Sequence, residues 1–447
     1  MDVKTCLPST PRLYRTLTLR DLLFYGVVIT SPIASLTLFG VLSVRGGGHV
    51  VTANLVAMIA MLFTGISYGR MARVYPSAGS AFSYVAQEIH PSLGYIIGWA
   101  MTMDYTINPL VCIYWSAEQT HNFVPGVPIY AWRIFYVALL SWLNIQAIRA
   151  SARVNFAFAI GLGAVGVMIL VAAVHYLFVH PHTDPSFYTR PFYDPLTFSF
   201  GALFGSTAIS ILNYIGFDGI STLSEETVNP RRNIPLAMVL TCLLVGTILT
   251  VLMYQAQLVW PAAEKFVDVD TAYVWVAGRT WAPLSTVIGI ALITASLGCG
   301  MTTQLGAARL LYGMGRSEAL PRRVFGVVDA KHHVPRNNVI IVGVVALIGS
   351  FFVDYTLGAE ILNFGALIAF MGVNGAAFIR YFVRAAHKTF WNFIPPILGF
   401  LICLTLWWNL SPKAKLFGTF WMLVGIAIGV WRTRGFRTKL VFDVPED

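Results

Sequence analysis

Seven residues, Asn213-Tyr214-Ile215-Gly216-Phe217-Asp218-Gly219, set a carboxylate between two glycines inside an otherwise apolar run. Glycine weakens a helix by ~1 kcal/mol relative to alanine, and an aspartate at the centre of a bilayer adds ~2.5–3.5 kcal/mol on insertion scales. A plain membrane anchor gains nothing from either cost, whereas a helix that opens to hold a solute does. Asp218 can bind an ammonium group, carry a proton, or simply hold unwound backbone by hydrogen bonds. Tyr214 and Phe217 flank Gly216; they can gate a solute, stack on its cation, or fill the core. Asn213 offers a polar partner to an amide or carboxylate. A second acid, Asp104, stands in another apolar run and needs a partner or a water-lined position. The first apolar run carries Thr30-Ser31-Pro32 at its middle. Proline removes a backbone donor and clashes with the preceding turn, and Thr and Ser hydroxyls can satisfy the groups so freed.

These residues need an apolar scaffold around them. The chain has 447 residues, 57% hydrophobic and 11% charged, far below the roughly 25% charged of soluble domains. This excludes a sizeable soluble domain. Apolar stretches of about 20 residues recur throughout, and twelve spans are predicted. They run over residues 22–44, 50–73, 82–118, 130–148, 154–179, 198–224, 235–260, 284–314, 339–353, 360–382, 393–408 and 416–431. The third is too long for one straight crossing, so it is tilted or begins with an interfacial segment before Gly94. Residues 1–21 are basic and polar, without the apolar core of a secretory signal, and read as a cytoplasmic tail, as do residues 433–447. With the N-terminus inside, 23 of the 30 basic residues fall on the cytoplasmic side, as the positive-inside rule requires. Both termini are therefore expected in the cytoplasm. The net charge of +10 is explained by those loops rather than by nucleic acid. Cys6, Cys112, Cys242, Cys299 and Cys403 show neither metal-ligand spacing nor a disulfide framework and read as packing thiols.

The two interrupted spans, the first and the sixth, sit five apart. Corresponding interruptions in two halves of a chain point to a solute site at the bilayer midplane.

Three longer motifs carry a family resemblance. Residues 63–85, FTGISYGRMARVYPSAGSAFSYV, resemble a signature of the amino acid–polyamine–organocation (APC) superfamily. Residues 216–222, GFDGIST, with Glu225-Glu226 and then NPRRNIP at 229–235, are similar to that family's sixth helix and following loop. Residues 309–316, RLLYGMGR, with Leu320-Pro321, resemble the end of its eighth. The resemblance covers nearly the whole chain and implies an all-α integral membrane fold of 12 transmembrane helices. Two inverted repeats of five (residues 22–180 and 198–384), of the LeuT kind, would precede two additional helices (390–432). The first break, Thr30-Ser31-Pro32-Ile33-Ala34-Ser35, looks more like the putrescine-importer-like branch than the Gly-Ser-Gly-Ile break of typical amino acid permeases. Whether a substrate carboxylate is held at Thr30, Ser31 and Ala34 stays open.

The resemblance implies a secondary transporter, a symporter or exchanger, moving an amino acid by alternating access across the cell membrane. A putrescine or polyamine importer of the same fold is the alternative, and a nutrient sensor that binds without transport is a further one. Asp218 and Asp104 are expected at the substrate or in coupling. Glu225 and Glu226, near Arg231 and Arg232, are expected in a salt-bridge network at an inner gate. The family's gating Trp position holds Leu212 here. Ser296, Thr302 and Thr303 offer hydroxyls for sodium, and the fifth span lacks the Lys of proton-coupled relatives, so proton and sodium both remain open. The histidines lie largely in loops (His180, His182, His332, His333) and no helix pairs metal ligands, so an enzyme is disfavoured. No cofactor or metal is expected, and the partners are a small amino acid or diamine and the lipid bilayer.

Overall fold

The computed structural model describes residues 16–75, 80–146, 152–224, 226–262, 264–316, 321–329, 334–385 and 388–432. Among these, helices α1 (Leu19–Thr30), α2 (Phe39–Arg45), α3 (Val50–Val74), α4 (Ser80–Glu88) and α5 (Pro91–Phe123) come first. α6 (Ile129–Ile145), α7 (Ala152–Val179), α8 (Phe200–Ser210), α9 (Gly219–Thr222) and α10 (Pro230–Val259) follow. α11 (Ala272–Thr280), α12 (Ala282–Arg316), α13 (Arg322–Phe325) and α14 (Arg336–Gly349) lead to α15 (Tyr355–Phe378), α16 (Phe390–Trp408) and α17 (Pro412–Arg432). Nine helices, counting a broken pair as one, are long and apolar enough to cross a membrane among the described residues. α6 and α14 are apolar but shorter. α5 has the length, at 33 residues, but carries Asp104, Asn108, Glu118 and Gln119 along it. The chain is thus an all-α, multi-pass membrane protein.

The long third stretch resolves as two helices. α4 stops at Glu88, His90 caps the next helix by accepting from the Ser92 amide at 3.2 Å, and Pro91 begins α5. α10 starts earlier than the sequence suggested, at Pro230, and takes Pro235 into its second turn.

Both expected interruptions are present. α1 ends at Ser31 in the left-handed region (φ 42°), and a 3-10 turn over Ala34–Leu38 leads into α2. The Thr30 hydroxyl turns back to donate to the Gly26 carbonyl at 2.8 Å. α8 gives way to a 3-10 turn over Ile211–Tyr214, then Gly216 at φ +115°, then α9. A side chain at that φ is strained, so glycine is what permits the break.

Small residues let the helices close on one another, as they do where lipid supplies no hydrophobic drive between helices. α10 packs along α3, and α12 and α15 along α5. A Cβ added at Gly69 would lie 2.7 Å from Pro235, and one at Gly365 would lie 2.4 Å from the Ala100 carbonyl.

At one end, Glu88 is fully buried and paired with Arg380 (3.3 Å) and Arg384 (3.0 Å), while the Tyr75 hydroxyl donates to it at 2.8 Å. This ties α4 to the π-helical segment Ile379–Val383 that ends α15. Removing the partners of a buried charge costs about 3–5 kcal/mol. The double substitution Arg380→Ala/Arg384→Ala is therefore expected to lower the melting temperature in detergent clearly more than Arg190→Ala, which breaks an exposed pair with Asp184. Equal shifts would show that the Glu88 cluster contributes no stability.

Between α10 and α11, outside the spans, burial pushes the Asp270 carboxyl up to about 7, with Asp268, Glu118 and Asp354 adding to the shift. Arg133 is held nearby by Glu118 at 3.1 Å and by the Ser350 carbonyl. Because the folded pKa lies above the unfolded value of about 3.9, the folded chain binds this proton more tightly. The stability it lends is full below about pH 4 and lost as pH rises through 7. Asp270→Asn is expected to melt several degrees above the unsubstituted protein at pH 8 and nearly level with it at pH 4. A pH-independent difference would contradict this account.

Candidate functional site

The two breaks meet. The Ile29 carbonyl oxygen lies 3.4 Å from where a Gly216 Cβ would stand, and Ile29 Cδ1 lies 3.1 Å from the same point at Gly219. A side chain at Gly219 would press on Ile29, and at Gly216 it is the positive φ that disfavours one. Beside this contact opens a cavity of about 1350 Å³. The first break lines it with Ser31 and Pro32, the second with Gly216 and Asp218, α5 with Asp104 and Asn108, and α12 with Cys299 and Thr303.

Asp218 follows the positive-φ glycine, so its carboxylate folds back onto its own turn. Oδ1 accepts from the Gly216 amide at 3.2 Å, and the group also lies against the amides of Asp218 and Gly219. Asp104 comes from the facing helix and is near enough to interact electrostatically with Asp218. Its Oδ1 is buried and meets no hydrogen-bond partner. Among the described residues neither carboxylate forms an ion pair. Tyr25 and Tyr105 line the same cavity within the field of Asp218. Arg309 lines it too and is exposed. The arrangement leaves two acids facing one cavity, and its unmet need is for a cation or for protons.

Of the residues singled out in the sequence, the cavity brings together Ser31, Asp104, Asp218, Thr302 and Thr303. The other candidate contacts do not line it. Thr30 is turned onto Gly26, and Ala34 opens the 3-10 turn. Asn213 is buried, donating to the Ser210 hydroxyl at 3.2 Å. The Tyr214 hydroxyl donates to the Asn54 carbonyl at 3.1 Å. Phe217 is fully buried, with Tyr68 edge-on at 5.7 Å and Phe370 at 5.6 Å. Ser296 donates to the Cys112 carbonyl at 3.3 Å. Glu226 makes no ion pair with Arg231 or Arg232; its carbonyl accepts from the Thr16 and Leu17 amides, stitching the N-terminal segment to this loop. Glu225 lies outside the described residues.

Sequence reading missed Tyr25, Tyr105 and Asn108. A signal was present for the last: Asp104, Asn108 and Cys112 fall at intervals of four, one face of α5.

A model of the amino acid permease family matches residues 29–429. The chain is 33% identical over 444 residues to the low-affinity putrescine importer PlaP of Escherichia coli K12, covering 97% of each chain. It is 25% identical to the branched-chain amino acid permease BcaP of Lactococcus lactis, covering 93% of each. It is 28% identical to the mitochondrial cationic amino acid transporter 3 of Arabidopsis thaliana, covering 83% of this chain and 63% of that one. Broken helices beside a shared cavity and a match over nearly the whole length lead to one statement: the chain belongs to the amino acid permease family of the APC superfamily, in its putrescine-importer-like branch, and is a transporter rather than an enzyme.

Proposed function

We propose that the chain carries a small organic cation, a diamine such as putrescine, across the cell membrane by alternating access. The observation that carries this reading is the pair Asp104 and Asp218, two acids on one cavity, neither in an ion pair among the described residues although Arg309 lines the same cavity. Two ammonium groups on a short alkyl chain complement two carboxylates, and the apolar wall of Val28, Ile29 and Leu297 suits the methylenes between them. The Ser31 amide donates to the Val27 carbonyl at 3.0 Å and so is not spare for a substrate carboxylate. The similarity to a putrescine importer supports the same reading.

The second reading is an amino acid, its ammonium on one acid. The similarity to a branched-chain permease and to a cationic amino acid transporter favours it. In either case the proposed layout is twelve crossings: residues 22–180 and 198–384 as inverted repeats, 390–432 as two further helices, and both tails in the cytoplasm. Coupling is to a proton or to sodium. A sensor of the same fold would bind the substrate but not move it.

Uptake of labelled putrescine into proteoliposomes tests this. Losing one charge-assisted contact costs about 1.5–3 kcal/mol, so Asp104→Asn and Asp218→Asn are each expected to weaken apparent putrescine affinity roughly 10- to 100-fold. Diamines should compete for uptake, and leucine should not. Competition by leucine alone, or wild-type uptake by both variants, would reject the diamine. Binding seen by thermal shift without any uptake would select the sensor.

A further inference from the structure

Beside the carboxylates, the wall shared by α5 and α12 holds two thiols on one amide. The Asn108 side-chain oxygen lies 3.2 Å from Cys112 Sγ, 3.3 Å from Cys299 Sγ and 3.2 Å from the Thr303 hydroxyl. An amide oxygen has two lone pairs, so the three donors compete, and the thiols are also within hydrogen-bonding reach of each other. Cys299 lines the cavity, and Cys112 stands buried behind it. The close approach has a backbone cause: at Gly300 a Cβ would come 3.0 Å from Cys112 Cβ and 3.6 Å from its sulfur. Among the described residues Cys242 and Cys403 have no such partner thiol; they meet the Met61 carbonyl and the Thr64 hydroxyl instead.

We propose that Cys112 and Cys299 form a dithiol site, entered from the cavity, that captures trivalent arsenicals. A sulfur reachable from an aqueous cavity with a second sulfur directly behind it is what such a reagent requires. Cys299 reacts first, and Cys112 then closes the ring. In each step an As–S bond forms, an As–O bond of the hydrated arsenical breaks, and the thiol proton leaves with that oxygen as water. Two thiols thus release two waters, no electrons are transferred, and no oxidant is needed. Closure bridges α5 to α12 and takes both thiol donors away from Asn108. The expected block of transport rests on the reading of this cavity as the substrate route; the adduct itself does not.

The experiment treats the purified full-length protein with phenylarsine oxide and maps adducts by mass spectrometry. One arsenical should join the peptides of Cys112 and Cys299, and 2,3-dimercaptopropanol but not 2-mercaptoethanol should remove it. The second thiol acts at high effective concentration, so Cys112→Ser, Cys112→Ala and Cys299→Ser should each retain the reagent roughly 100-fold less well. A Cys242→Ala/Cys403→Ala variant should retain it fully. Two results would overturn the site: undiminished retention without Cys112 and Cys299, or an adduct on the intact protein that a monothiol removes. Putrescine uptake is measured on the same samples. A bridged adduct with undiminished uptake would leave the dithiol standing and count against the cavity as the substrate route.

Discussion

Everything near the cavity depends on one close contact between two unwound segments. Gly216 has no side chain and a φ of +115°, and the Ile29 carbonyl oxygen lies 3.4 Å from where its Cβ would stand. Backbone groups freed at a break in a bilayer must find partners. Here the partners are local. Thr30 serves Gly26, the Ser31 amide serves Val27, and Asp218 serves the amides of its own turn. The breaks can therefore lie side by side and still leave a space between them and α5.

The rest of the packing is arranged to hold that contact. Gly69 and Gly246 admit α10 against α3, and Gly365 admits α15 against α5. Phe217, one residue before the acid, is wedged among Tyr68 and Phe370. That wedge fixes the direction in which Asp218 points. Tyr214 does the same on the other side through Asn54. Residues that looked like substrate contacts from their position beside Gly216 instead fix the geometry of the residue that remains open.

The sequence carried the class, most helix positions and both interruptions, because apolar length, a mid-span Pro and a Gly-x-Asp-Gly cluster are local signals. It also separated out Asp104 and Asp218, since a charge inside an apolar run is conspicuous wherever it lies. It did not carry the facing of side chains around a break. Through Asn213-Tyr214-Ile215-Gly216-Phe217 the backbone passes from a 3-10 turn to a positive φ, so neither a helical nor an extended period applies. Which of these side chains meets the cavity is set by tertiary contact. Tyr25 and Tyr105 were invisible for a related reason: a tyrosine in a membrane helix has no distinctive spacing, and only packing brings it to the acids. The early start of α10 reflects the tolerance of a first turn for proline.

The two acids are not equivalent, and the difference follows from their surroundings. An ionised carboxylate offers about four acceptor positions. Asp218 spends part of that capacity on backbone amides, so it holds the break whether or not a solute is present. Asp104 rides on a continuous helix that needs nothing from it, and its Oδ1 has no hydrogen-bond partner. A buried polar atom left unmet costs about 1–3 kcal/mol, more when charged. A cationic substrate or a proton removes that cost at Asp104 and adds little to the structure at Asp218. In the proposed reading, Asp104 thus has the larger stake in occupancy, and Asp218 links that occupancy to the conformation of the break between α8 and α9.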